Sequence, residues 1–297
     1  MKTYLKADLM LLLVTLFWGT SCLLTKVGLG GIQEFNLIAL RFIIAFSLSA
    51  VVFRKNIRQA DRKTVKYAAV LSLILFAVFV FFTFGVNMTT VSNAGFLTCL
   101  AGVFIPIISL TVLKQKQEAK VLISICIAFL GIVLLTVNER LTFNLGDFLC
   151  TLCSLAFAVH IIVMGKLTLE VDSVALGVIQ LGFVGIYGLL FSFLFEDPML
   201  PATGQSWLIV AALSIFCTGI AFIAQTIAQR YTTPVHTGLI FSLEPVFTAV
   251  SAYLFADEQL PLKGYIGGLL MIVSVILIEV DFKSLIKRDR INPIPPN

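Results

Sequence analysis

Charge is what this sequence has least of. Asp, Glu, Lys and Arg make up 12% of its 297 residues, about half the share typical of soluble domains. So few charges cannot cover a water-facing surface, and most of the exterior must meet an apolar medium. Histidine is scarcer still. His160 and His236 are the only two, which excludes a histidine-rich metal site. All six cysteines (Cys22, Cys99, Cys126, Cys150, Cys153 and Cys217) fall inside apolar runs, which argues against a disulfide framework. Cys150 and Cys153 have the spacing of half a zinc site, but no second pair completes it. They read instead as small, apolar-tolerant residues on one helix face. A phosphate-binding loop is missing too, since Gly165-Lys166-Leu167-Thr168 is not one. The net charge of +5 is scattered between apolar runs and forms no stripe, so nucleic acid is not an expected partner. No cofactor and no metal is expected.

What the sequence has in abundance is hydrophobic residues, at 59%. They gather into ten segments near 7–27, 34–53, 66–87, 92–113, 119–137, 147–166, 172–195, 206–228, 235–255 and 262–280. Each has the length of a membrane-spanning helix, about 20 residues, and is about twice as long as a barrel strand. The expected fold is therefore an all-α integral membrane protein with ten transmembrane helices. The remaining residues are too few for a soluble catalytic domain. Lys2 and Lys6 before an apolar run resemble the opening of a signal peptide, but the run continues through Trp18 to Lys26 without a small-x-small cleavage site. It is read as a span.

Orientation follows from the basic residues of alternate loops. One set, with both termini and the loop from Arg54 to Lys66, holds seventeen Lys and Arg; the other holds only Arg140 and Lys263. That bias places both termini, including a basic tail over 281–297, in the cytoplasm.

The chain also repeats itself. Thr89-Thr90, Gly95, Leu100 and Val103-Phe104 recur at an offset of 143 as Thr232-Thr233, Gly238, Leu243 and Val246-Phe247. Phe17 and Lys26 are echoed more loosely by Phe157 and Lys166. Two five-helix repeats, 7–137 and 147–280, follow. Five is odd, so the second copy must enter the membrane from the opposite side. Inverted halves can open alternately to each face, with a binding site near the midplane between them.

Phe17-Trp18-Gly19, Leu40-Arg41-Phe42, and Leu243-Glu244-Pro245-Val246-Phe247 followed by Asp257-Glu258 stand in this order along the tandem halves. Together they resemble the EamA family of the drug/metabolite transporter superfamily, bacterial inner-membrane carriers. The likeness covers residues 7–280. It implies a ten-helix carrier that moves small metabolites, often amino acids or related solutes, usually outward. It also implies a central cavity lined mainly by spans one, three, four, six, eight and nine. The first half departs from the second, with Ala101-Gly102 in place of Glu244-Pro245, and Lys116-Gln117-Glu118 copies the acidic signature only approximately.

Within this frame, several residues are candidates for the site. Glu244 lies midway along span nine, where a charge costs at least about 2.5–3.5 kcal/mol unless paired or hydrated. It reads equally as a proton-coupling carboxyl or as a neutral acid bonded between helices. Arg41 in span two could attract a substrate carboxylate; its bland reading is a side chain snorkelling to headgroups or paired with Glu34. His160 could titrate during transport or simply bond a neighbouring helix. Trp18 sits away from an interfacial belt and suits a cavity wall as well as it suits core packing. Phe79 and Phe82 could line a pore, although span three holds so many phenylalanines that some must face lipid. Asn93, Thr98, Gln225 and Gln229 either solvate a polar cavity or glue helices together. Gly182, Gly185 and Gly188 form a small ridge for close packing on span seven. Gly95 and Gly238, repeat mates, are gating candidates at opposite ends of the cavity. The function these residues point to is secondary transport of a small solute by alternating access, with protons a possible coupling ion and the lipid bilayer the medium. The alternatives are a multi-span membrane enzyme, for which no acid–base or nucleophile cluster converges, and a structural or lipid-scrambling protein, which would not need internal inversion.

Overall fold

The computed structural model describes residues 2–89, 91–114, 118–136, 144–256 and 262–279. Thr90, Lys116-Gln117, Asp257-Glu258 and the tail 281–297 lie outside the described residues. All regular structure among the described residues is helical. The first half contains α1 (Lys2–Gly28), α2 (Glu34–Val52), the short α3 (Arg54–Arg58), α4 (Arg62–Met88), α5 (Val91–Cys99), α6 (Ala101–Thr111) and α7 (Ala119–Thr136). The second contains α8 (Leu145–Leu167), α9 (Ser173–Phe195) and α10 (Gly204–Ser214), followed by a π-helical turn (Ile215–Ile220). It continues with α11 (Ala221–Gln229), α12 (Pro234–Phe241), α13 (Glu244–Ala256) and α14 (Leu262–Glu279). Six stretches are long and apolar enough to cross a membrane: Leu5–Gly28, Glu34–Val52, Arg62–Met88, Leu145–Leu167, Ser173–Phe195 and Gly204–Gln229. Leu97–Thr111, Ala119–Gly131 and Leu262–Ser274 are shorter apolar helices. The chain is thus a multi-pass membrane protein, because helices satisfy their own backbone groups in lipid.

Helix starts follow local chemistry. Asp61 accepts from the Thr64 backbone N–H at 2.8 Å and Asp172 from that of Ala175 at 2.7 Å, occupying donors that have no partner in the first turn. Asn144 and Asp147 form a reciprocal capping box on α8.

Three segments that read as single spans are interrupted. The stretch 92–113 breaks at Leu100, 235–255 breaks at Ser242-Leu243, and 206–228 carries the π turn. At the second break the cause is visible. Pro245 offers no N–H, and its ring opposes the carbonyl four residues back, that of Phe241, where α12 ends. Leu100 and Leu243 stand at the same position of the sequence repeat, and both accept from the backbone N–H groups three and four residues on.

The halves pack by exchange. α2 lies along α9, and a Cβ added at Gly182, Gly185 or Gly188 would meet Phe46, Ile43 and Ala39 at 3.0, 2.9 and 2.9 Å. The glycine ridge therefore lets two backbones touch. One number rises as the other falls, so α2 and α9 are antiparallel. α7 packs on its counterpart α14, with a Cβ at Gly131 meeting the Gly267 carbonyl at 2.7 Å. α4 packs on α8, as α10 and α11 pack on α1. Exchanging the halves leaves these pairings unchanged.

Candidate functional site

Arg41 is the most deeply placed cation among the described residues, 3% exposed, on the α2 face turned toward α1 and the π turn. Its Nε donates to Thr218 Oγ1. Its Nη2 donates to Ser21 Oγ and to the Cys217 carbonyl, both at 3.2 Å. The guanidinium carbon stands 4.7 Å from the centre of the Phe79 ring, a contact of cation–π type. Every one of these partners is neutral. Glu34 does not pair with Arg41; it accepts from Asn87 Nδ2 at 2.7 Å instead. A buried charge is ordinarily matched by an opposite one, and Arg41 has none among the described residues.

The π turn explains how the cation is held. A π turn widens the helix by an extra residue. Here Thr218 Oγ1 also donates to the Leu213 carbonyl five residues back, at 2.8 Å. The Cys217 carbonyl accepts from Arg41 and, at 3.0 Å, from Trp18 Nε1. Trp18 is thereby fixed with its ring 5.3, 5.2 and 4.9 Å from those of Phe157, Phe222 and Phe241.

These groups surround one cavity. Arg41 and Ser21 line it on one side, and Glu244 and Thr98 are the other polar side chains. Trp18, Phe79, Phe82, Phe157 and Phe222, with Val78 and Cys153, supply an apolar wall. Glu244 is half-buried, opens α13, and has no side-chain hydrogen-bond partner among the described residues. A helix N-terminus favours a negative charge, and a break that points a half-helix into a cavity is the kind of feature carriers use to hold ions and solutes. Arg41 and Glu244 share the cavity without forming an ion pair.

Six sequence candidates thus converge: Trp18, Arg41, Phe79, Phe82, Thr98 and Glu244. Two stand behind the wall. His160, fully buried, bonds through Nε2 to Gln180 Oε1 at 3.3 Å, and its ring stacks on Phe157, which lines the cavity. Gln225 donates to Gln229 Oε1 at 3.1 Å within α11, and Gln229 donates to the Ile161 carbonyl at 3.0 Å, which ties α11 to α8. Asn93 is placed on α5, but its side chain lies outside the described part. The paired glycines differ. Among the described residues, a Cβ at Gly95 would meet only Thr248 Cγ2, at 3.8 Å, whereas one at Gly238 would meet Ile105 Cδ1 at 2.6 Å. Gly102, facing Gly238, would meet its carbonyl at 2.9 Å. Ser21, Val78, Cys153, Phe157 and Phe222 were not among the sequence candidates. Cys153 and Phe157, four residues apart on one face of α8, offered the one usable signal.

At the two ends, polar contacts tie the helices together. Lys26 Nζ donates to the carbonyls of Val86, Asn87 and Thr89 at 2.7, 2.8 and 3.0 Å, capping the end of α4. Thr89 Oγ1 donates to Asp147 Oδ1 at 2.5 Å. At the other end, Asp8 on α1 meets His236 Nε2 on α12 at 3.0 Å.

The EamA-like transporter family model matches this chain twice, over residues 5–137 and 144–280. An uncharacterized transporter of Archaeoglobus fulgidus is 29% identical, over 93% of this chain and 86% of its own length. A second from that organism is 26% identical, over 92% and 96%. An uncharacterized transporter of Methanothermobacter thermautotrophicus is 24% identical, over 89% and 83%. A solved crystal structure shares the fold, with TM-score 0.75, 19% identity and coverage of 96% of this chain and 99% of that one.

Proposed function

The chain belongs to the EamA-like transporter family and is a membrane transporter, and on that premise we propose that it exports a small amphipathic metabolite, an amino acid or related zwitterion, by alternating access. The observation that carries this reading is Arg41, a buried cation with only neutral partners, in one cavity with Glu244. A solute carboxylate would complete the charge of Arg41, whose planar fork suits that group. An ammonium group would face Glu244, and the apolar part of the solute would lie on the ring wall. A proton carried by Glu244 would couple transport to the proton gradient.

In this reading residues 7–137 and 147–280 are two five-helix repeats of opposite topology, ten spans in all. The antiparallel packing of α2 on α9 supports it, because a twofold axis that reverses a helix lies across the helix, in the membrane plane. So do the breaks at Leu100 and Leu243. Both termini face the cytoplasm, as the basic loops require. The protein resides in a cytoplasmic membrane, bacterial by the sequence resemblance. Gly95 and Gly238 mark opposite closing points.

The test uses the purified protein in sealed vesicles loaded with labelled amino acids and their decarboxylated or deaminated analogues. Zwitterions should exchange across the membrane chemically unchanged, and analogues lacking the carboxylate should exchange at least about tenfold more slowly. Equal exchange of all three classes would remove the Arg41 reading, and chemical conversion of the solute would replace transport with catalysis.

A further inference from the structure

A second hollow lies on the far side of the π turn. It is an apolar groove between α1, α2 and the α10–α11 unit. Its outer rim belongs to the lipid-facing surface: Leu48, Val52 and Ile220 are 50%, 72% and 42% exposed. Ile215, Gly219 and Ile220 of the π turn line it, while Cys217 and Thr218 of the same turn hold Arg41 on the opposite side.

One end of the groove is charged. α2 and α11 run in the same direction there and α1 runs against them, so Met10, Phe53 and Ile227 gather at that end. Lys6 precedes Met10 by four residues, Arg54 follows Phe53, and Arg230 follows Ile227 by three. The first and last spacings place each cation on the same helix face as the groove residue. All three cations are exposed. The nearest acid in sequence, Asp8, is engaged with His236. An apolar channel within the bilayer that ends in three cations from three elements matches the chemistry of an anionic lipid, chain in the channel and phosphate at the mouth. A neutral lipid would fill the channel without using the mouth.

We propose that this groove binds one acyl chain of an anionic phospholipid whose phosphate is held by Lys6, Arg54 and Arg230. The chain end of such a lipid abuts the turn whose other face carries Arg41, so the groove and the cavity share one wall.

Native mass spectrometry of the full chain tests this with phosphatidylglycerol and phosphatidylcholine of matched acyl chains. The parent should retain phosphatidylglycerol about tenfold better. Lys6→Gln/Arg54→Gln/Arg230→Gln, all at exposed positions, should abolish the preference. Ile220→Trp, which narrows the groove from its exposed rim, should lower retention of both lipids while melting stays unchanged. Equal retention of the two lipids by the parent would overturn the site, a result that needs no variant. A preference that survives the triple substitution, or retention unaffected by Ile220→Trp, would overturn it as well. Capture of a second chain in place of lipid would assign the groove to a dimer contact and overturn it too.

Discussion

The third long helix of each half makes the most informative comparison. α4 runs unbroken from Arg62 to Met88, whereas its counterpart is divided by the π turn at Ile215–Ile220. α4 gives the cavity only apolar faces, Val78, Phe79 and Phe82. The counterpart gives Phe222 and, from the π turn, the Cys217 carbonyl and the Thr218 hydroxyl that hold Arg41 and Trp18. A regular helix keeps its carbonyls in its own ladder. One residue more per turn brings a carbonyl and a hydroxyl to bear on a neighbour without adding any polar side chain to a lipid-facing surface. The halves share a fold, and the asymmetry between them makes the site.

Erasing that asymmetry should have the largest effect. Deleting Phe216, 47% exposed, would return the π turn to α register while leaving both flanks in place. Two hydrogen bonds to a charged group, about 1.5–3 kcal/mol each, would be lost, and exchange in vesicles should fall by about a hundredfold or more. Undiminished exchange by a folded deletion variant would show that the π turn is incidental. The next contrast is between repeat mates at the helix break, where Ala101 opens α6 and Glu244 opens α13. Glu244→Gln should fold, slow exchange by about tenfold, and flatten its dependence on pH between about 5.5 and 8. A variant that exchanges like the parent across that range would make Glu244 a packing residue.

Stability measurements sharpen the comparison further. Gly102→Ala pushes a Cβ to 2.9 Å from a backbone oxygen, which cannot yield, and should cost about 1–3 kcal/mol. Among the described residues, Gly95→Ala meets only Thr248 Cγ2 at 3.8 Å, and it should stay within about 0.5 kcal/mol of the parent. Melting in detergent ranks the two, and the reverse order would contradict the close crossing of α6 and α12. The smallest effect belongs to the start of α4. Lys63 and Glu170 form an ion pair at 2.8 Å with side chains 48% and 47% exposed. The bond from Lys63, then that from Tyr67, holds the Glu170 carboxyl below its usual range. A depressed carboxyl stabilises the fold above its unfolded pKa, and that contribution is lost as pH falls through the folded value. Lys63→Met should therefore leave melting unchanged within error at low pH and nearly so at neutral pH, because water screens so exposed a pair. A clear loss at neutral pH would mean the pair anchors α4.

Much of this was legible in the sequence because the bilayer imposes a simple rule: apolar runs become helices. The ends of α2, α8 and α9 fall within two residues of the runs 34–53, 147–166 and 172–195. The interruptions were not legible. Leu100 is surrounded by residues that look the same in a broken helix as in a whole one, and a π turn has no composition of its own. Among site residues, Arg41 and Glu244 stood out as charges in apolar runs, and both line the cavity. His160 and Gln225 stood out for the same reason, yet their bonds run to Gln180 and Gln229. Polarity within a span identifies a residue that needs a partner; only packing decides whether that partner is another helix or a solute. Phe157 and Phe222 carry no polarity at all, and the 26 phenylalanines of the chain hide them.

Trp18 has a practical consequence. The chain has only two tryptophans, and the other, Trp207, is 41% exposed. With Trp207 replaced by Phe, all indole emission would come from a ring whose N–H rests on the Cys217 carbonyl, on the same oxygen that takes Arg41. Any solute that draws the guanidinium away, or any movement that lets water reach that oxygen, should change the colour and polarisation of the emitted light. The protein thus carries an optical readout of its own charge site, with no label attached.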